Sequence, residues 1–263
     1  MPEPDSRPLQ AIIFDVDGTL AETERLGHLV AYNQAFEDLG ADWEWSDAFY
    51  GDLLRIEGGA ERLDHYLHEY QPEFSTAEDR AAFVNDAHGR KNRHYRALLG
   101  AGEIPLRTGI RRLINEARAA GLRLAIASSS VRANVFALLK NELGDDAENL
   151  FDAIVTGDDV GRKKPDPEAY RRVLERLDLP AEACIAIEDS ENGCRAAVLC
   201  GLPTIVTISS YTASHTFPDS LLVADSLGEP DSPWHVIAGS AGGASYLDIA
   251  TLRRLHADAR PAA

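Results

Sequence analysis

Short apolar runs separated by helical patterns constrain this chain more than any other feature. Residues 9–14 (LQAIIF), 122–127 (LRLAIA), 153–156 (AIVT), 184–187 (CIAI) and 203–208 (PTIVTI) lack the polar alternation of a half-exposed strand. Runs of that kind belong to strands buried on both faces. Between them, residues 109–120, 131–143, 167–178 and 192–200 carry helical patterns. Strand–helix alternation implies a parallel sheet covered by helices. The expected fold class is therefore α/β, with a doubly wound parallel-sheet core.

The alternation fails between about 22 and 100, where only helices are expected. Leu26, Leu29, Val30, Phe36 and Leu39 fall at helical spacing and Gly40 is a stop; Leu63, Tyr66 and Leu67, then Phe83, Tyr95 and Leu98, suggest further helices. A helical block after the first strand, with the sheet resuming near 104, reads as a small cap domain inserted into the core. The expected division is 1–21 with 101–263 as core and 22–100 as cap, hinged near Ala21–Glu24 and Gly100–Pro105. Residues 228–245 are rich in Gly and Ser and are expected to be irregular, before a short helix around 246–257.

Composition narrows the partners. With 26 basic against 43 acidic residues the net charge is −17, which argues against nucleic acid, since phosphate backbones are bound through clustered Lys and Arg. No apolar run approaches the roughly 20 residues of a membrane helix. The start, MPEPDSRPLQ, lacks a signal-peptide pattern, so a cytoplasmic location is expected; a monomer is the default expectation, which the sequence does not decide. Cys184, Cys194 and Cys200 offer neither a disulfide framework nor zinc spacing and are expected to be buried thiols.

The chemistry concentrates where strands end. Asp15-Val16-Asp17-Gly18-Thr19 follows the first run directly. Residues two apart in extended chain project to one side, here toward the crevice at the carboxyl edge of a parallel sheet. Two carboxylates this close repel and call for a hard cation such as Mg²⁺. One can attack phosphorus while the other serves as acid and then base. Glu188-Asp189 ends another run and could complete the metal's oxygen shell, or Asp189 could cap the following helix. Ser128, Ser129 and Ser130 end the run 122–127 just before a helix, as an anion site, as a cap or as both. Lys164, in Lys163-Lys164-Pro165, can neutralise phosphate charge or be solvated surface.

This ordered set resembles the haloacid-dehalogenase superfamily of aspartate-based phosphatases, over nearly the whole chain to about residue 227. The resemblance implies a Rossmann-like core with Asp15 as nucleophile, Asp17 as acid and base, Ser128 as phosphate binder and Lys164 as the site lysine. It also implies Mg²⁺ on Asp15, the Asp17 main-chain carbonyl, Glu188 and Asp189, with Thr19, Ser129 and Ser130 beside the substrate. Residues 21–36 (AETERLGHLVAYNQAF) and 58–62 (GGAER) are similar to segments of the CbbY-like phosphatases, which remove the 1-phosphate of xylulose-1,5-bisphosphate. That likeness implies Glu24, His28 and Asn33 at the cap mouth and Arg62 on the distal phosphate; Ala60 stands where that group's cap loop carries a lysine. The expected function is Mg²⁺-dependent hydrolysis of a small phosphorylated sugar. The alternatives are a phosphosugar mutase of the β-phosphoglucomutase type and a catalytically silent binding protein.

Overall fold

The computed structural model describes residues 8–259 apart from 72 and 75. Its sheet has seven strands: β1 (Ala11–Phe14), β2 (Arg123–Ala127), β3 (Ala153–Val155), β4 (Cys184–Glu188), β5 (Thr204–Thr207), β6 (Leu222–Ala224) and β7 (Val236–Gly239), in the spatial order β3-β2-β1-β4-β5-β6-β7. The first six are mutually parallel, and β7 runs antiparallel to β6 at the edge. The chain order reverses direction across the sheet beside β1, and a crevice opens there at the carboxyl ends.

Side-chain size decides how the layers form. Ile12, Phe14, Leu124, Ile126, Ile185 and Ile187 face one side, where they pack with α5 (Ile110–Ala119), α6 (Arg132–Leu143) and α9 (Ile249–Asp258). Their strand neighbours on the other face are mostly small: Ala11, Ala125, Ala127 and Ala186, with Ile13 as the exception. Small residues let α7 (Glu168–Leu177) and α8 (Glu191–Leu199) approach closely, and Tyr170, Val173 and Ala197 fill that layer.

Helices alone occupy the stretch between β1 and β2 up to Gly100: a turn at Glu24–His28 running into α1 (Leu29–Asp38), then α2 (Asp47–Leu53), α3 (Gly59–Tyr70) and α4 (Ala77–Gly100). They enclose a separate core of Tyr32, Phe36, Trp45, Tyr50, Leu63 and Tyr66, whose rings meet both stacked and edge-on. Two connections lead back to the sheet. They lie side by side, because Ala21 bridges Leu106.

Three expectations need correcting. Leu26 and Val30 do not belong to the apolar face, being 41% and 36% exposed. The Glu24–His28 turn is π-helical, and its extra residue per turn shifts the phase, so that Leu29, Tyr32 and Phe36 point inward. Residues 228–245 are not irregular throughout, since β7 lies within them and closes the sheet with β6. The thiols are unpaired, with Cys184 and Cys194 buried, but Cys200 is only half-buried. Among the described residues no helix is long and apolar enough to cross a membrane.

Candidate active site

The site begins where β1 and β4 end together. Phe14 and Ile187 are register partners, and the Asp15 amide donates to the Ile187 carbonyl at 3.0 Å. Asp15 and Glu188-Asp189 therefore emerge side by side. Carboxylate oxygens of Asp15, Glu188 and Asp189 all lie within 4.8 Å of one another, and all three residues are buried. Gly18, at φ +87°, turns the chain sharply after β1, and a side chain there would overlap the Asp189 carboxylate. Capping of α8 falls to Ser190, whose hydroxyl accepts from the Gly193 amide at 3.1 Å. Asp189 is thus free to face the crevice.

Lys164 is not surface; it is 4% exposed. Its Nζ donates to Asp15 Oδ1 and Glu188 Oε1, both at 2.6 Å, and the Tyr170 hydroxyl donates to the same Glu188 oxygen at 2.5 Å. A cluster of three carboxylates thus holds one ammonium, which touches two of them, and its formal charge is −2. The strain is visible in the proton affinities. Burial pushes Asp15 up to about 8, with Glu188 and Asp17 adding to it against Lys164. Burial, then Asp15 and Glu188, push Asp189 well above its usual range. An oxygen-only cluster short of two positive charges is a fit for a hard divalent cation.

Asp17 sits in the opposite environment. Burial alone would raise it, but donors surround it: Thr23 Oγ1 at 2.6 Å and His28 Nε2 at 3.2 Å on one oxygen, Ser130 Oγ at 2.6 Å on the other. Those bonds outweigh burial and hold Asp17 well below the ordinary carboxylate range. His28 is driven toward the neutral form by its own burial, then by Lys91, so its one ring proton belongs on Nε2, facing Asp17. Its Nδ1 has no partner among the described residues.

A cleft of about 730 Å³ runs from this corner to the helices above, within the range that suits a small ligand. Asp15, Asp17, Glu24, His28, Arg62, Ser129, Ser130, Lys164 and Asp189 all line it. The remaining expected residues are elsewhere. Thr19 is fully buried with an unpartnered hydroxyl, Ser128 accepts from the Ser130 amide at 3.0 Å, and Glu188 lies beneath Lys164; none of them is on the cleft wall. Asn33 is not at the mouth either. Its amide clamps the Trp45 backbone in both directions at 2.9 Å. The serine run does not cap α6, whose first amide, on Arg132, is met by Asp158 at 2.8 Å. Ser129 instead lines the cleft with a buried hydroxyl that has no partner among the described residues.

The upper wall carries two buried cations among several carboxylates. Arg62 is buried under Tyr50, donating to its hydroxyl at 2.9 Å, and that hydroxyl in turn donates to Glu24 at 2.5 Å. Lys91, also buried, lies over the rings of Tyr32 and Tyr95 at 5.2 and 5.5 Å. Burial, partly opposed by Glu24, lowers it to about 8. The sequence reading missed Lys91, though its signal was present. Val84, Ala87, Tyr95 and Leu99 form the buried stripe of α4, and Lys91 interrupts that stripe in phase. Glu57 also went unnoticed. It reaches across to Asn192, on the core side, at 3.2 Å.

The model of the haloacid dehalogenase-like hydrolase family matches residues 9–201. Protein CbbY encoded on a plasmid of Cupriavidus necator is 46% identical over 249 residues, covering 94% of this chain and 97% of the relative. The crystal structure of CbbY from Rhodobacter sphaeroides in complex with phosphate superposes with a TM-score of 0.76 at 43% identity, covering 83% of this chain and 94% of that one. A mutant of the same protein in complex with xylulose-(1,5)bisphosphate gives a TM-score of 0.75 at 42% identity, over the same shares of each chain.

Proposed function

Because this chain belongs to the haloacid dehalogenase-like hydrolases, we propose that it hydrolyses a small phosphorylated sugar through Asp15, with xylulose-1,5-bisphosphate as the preferred substrate. The observation that carries the reading is the contact of Lys164 with both Asp15 and Glu188 at the foot of a cleft whose upper wall holds Arg62 and Lys91. Positive groups at both ends suit a substrate phosphorylated at both ends. The solved relative that holds this bisphosphate supports the choice.

Asp15, the Asp17 main-chain carbonyl, Glu188 and Asp189 would hold Mg²⁺, which when bound screens the charge of the reacting phosphoryl group. Asp15 attacks phosphorus, the bond to the sugar oxygen breaks, and that oxygen leaves with the electron pair and takes a proton from Asp17. Water then attacks phosphorus while Asp17 receives its proton, and the bond from phosphorus to the Asp15 oxygen breaks, which returns the Asp15 carboxylate and releases free phosphate. The donors on Asp17 favour the base form that this second half needs. For the first half Asp17 must gain a proton, and an anionic phosphate arriving beside it favours that gain. Lys164 and the Ser129 hydroxyl are the donors for the oxygens that carry transition-state charge.

We take 22–100 as the cap and the rest as the core. Closure then relies on contacts that cross between them: Lys163 with Glu61, Asn192 with Glu57, and the Tyr211 hydroxyl with Asp47 at 2.7 Å. Seated this way, the cap excludes bulk water from the reacting corner. A cytoplasmic location fits a phosphosugar substrate and unpaired thiols.

Release of free phosphate from a panel of mono- and bisphosphorylated sugars with Mg²⁺ is the test. The bisphosphate should lead in kcat/KM by about tenfold or more, the worth of one charged contact, and Arg62→Ala should remove most of that lead. Equal losses on both substrate classes would take Arg62 off the distal phosphate. Interconversion of sugar phosphates without net phosphate release would make the enzyme a mutase.

A further inference from the structure

Arg107 lies outside the cleft wall, yet more of the site's framework converges on it than on any catalytic residue. It follows Leu106 on the second connection between the helical block and the sheet, and its amide donates to the Leu20 carbonyl at 2.8 Å. Its guanidinium gathers carbonyls from three separate segments. Nη1 donates to the Gly18 carbonyl and to the Thr207 carbonyl at 2.9 Å, and Nη2 to the Ile208 carbonyl and to the Asp225 carbonyl at 2.9 Å. Nε faces Glu22, on the first connection, at 3.2 Å. A planar fork of five donors suits this task, which an ammonium cannot reproduce.

Two of those carbonyls belong to the immediate surroundings of Asp189. Gly18 is packed against the Asp189 carboxylate so closely that no side chain would fit. Ile208 precedes Ser209, which lines the cleft together with Asp189 and whose amide and hydroxyl are both held by the Thr212 hydroxyl, at 2.8 and 3.1 Å. Arg107 thus holds the segments on both sides of one carboxylate. Through Glu22 it also ties that carboxylate to the hinge. We propose that Arg107 is a positioning residue for the reaction: it sets the Asp189 carboxylate for metal binding by fixing Gly18 and Ser209, and it links that setting to the hinge. This rests on the reading of Asp189 as a metal ligand.

The experiment titrates Mn²⁺ into the metal-free, folded protein by electron paramagnetic resonance, for wild type, Arg107→Lys and Asp189→Asn, with a thermal melt of each. Outer partners of metal ligands govern affinity by 10- to 100-fold, so Arg107→Lys should weaken Mn²⁺ binding about tenfold and lower kcat more than it raises KM. A merely structural role would lower the melting temperature while leaving affinity per folded molecule unchanged. Affinity within about twofold of wild type in folded Arg107→Lys, when Asp189→Asn has lost it, overturns the proposal alone. Unchanged affinity in Asp189→Asn instead overturns the reading of Asp189. Should Arg107→Lys not fold, Ser209→Ala tests the same support from its other end: a loss of about threefold or more is expected, and none overturns the proposal.

Discussion

Asp15→Asn is expected to lower phosphatase turnover by about 10⁴-fold or more, because loss of a nucleophile removes the chemical step itself. The substitution keeps the shape of the side chain and its contact with Lys164, so the fold should survive. It also removes one carboxylate from a buried cluster of three that holds a single ammonium. The metal-free variant should therefore melt no lower than metal-free wild type, while losing most of the stabilisation that Mg²⁺ confers. Loss of activity together with a lower melting temperature would point to misfolding. Residual turnover within tenfold of wild type would take Asp15 out of the nucleophilic role.

Lys164→Met carries the second large effect, on stability as well as rate. Lys164 is held charged: although burial opposes the charge, Asp15 and Glu188 raise its proton affinity above the ordinary 10.5. Its contribution is thus complete across the physiological range and fades only in strong alkali. Removing it leaves two buried carboxylates without their cation, which costs about 3–5 kcal/mol in comparable cases. The catalytic loss should be about 10²- to 10³-fold, that of one donor to transition-state charge. The pH dependence has a definite sign. Asp15 keeps its proton in the folded state up to about 8 but loses it near 3.8 when unfolded, so between those values the unfolded chain binds fewer protons and stability falls as pH rises. Without Lys164 that window extends further upward. The deficit of the variant should accordingly stay level from pH 4 to about 8, where both folded proteins keep the proton, and grow from pH 8 to 9 as only wild-type Asp15 gives it up. Denaturant melts of metal-free protein across that range check it. A deficit that grows on acidification would contradict the assigned charges.

Some of this was legible in the chain because the signals are local. A buried strand followed at once by two acids and a glycine specifies a strand end, a turn and a charge cluster within seven residues. Glu188-Asp189 was ambiguous between cap and ligand, and Ser190 resolves it by taking the cap. Other features depend on contacts that no local pattern encodes. Arg107 looks like any hinge cation until four carbonyls from three distant segments meet it. Ser128, expected to touch phosphate, lies behind Ser129 and Ser130, a rotation of one residue that alternation along the chain could not decide. β7 escaped notice because it lies mostly exposed at the sheet edge, within a stretch whose Gly and Ser content points to a loop. The π-turn at Glu24–His28 changes the phase of the residues within it and after it, so Leu26 and Val30 turn outward while His28 turns toward Asp17.

The most direct measurement traps the covalent step. Protein quenched during turnover of the bisphosphate with Mg²⁺, then reduced with borohydride, converts an aspartyl phosphate to homoserine, which peptide mass spectrometry locates. Homoserine at position 15, and none in Asp15→Asn, is the expected result. Homoserine at another aspartate, or rapid phosphate release with none at all, would contradict attack by Asp15.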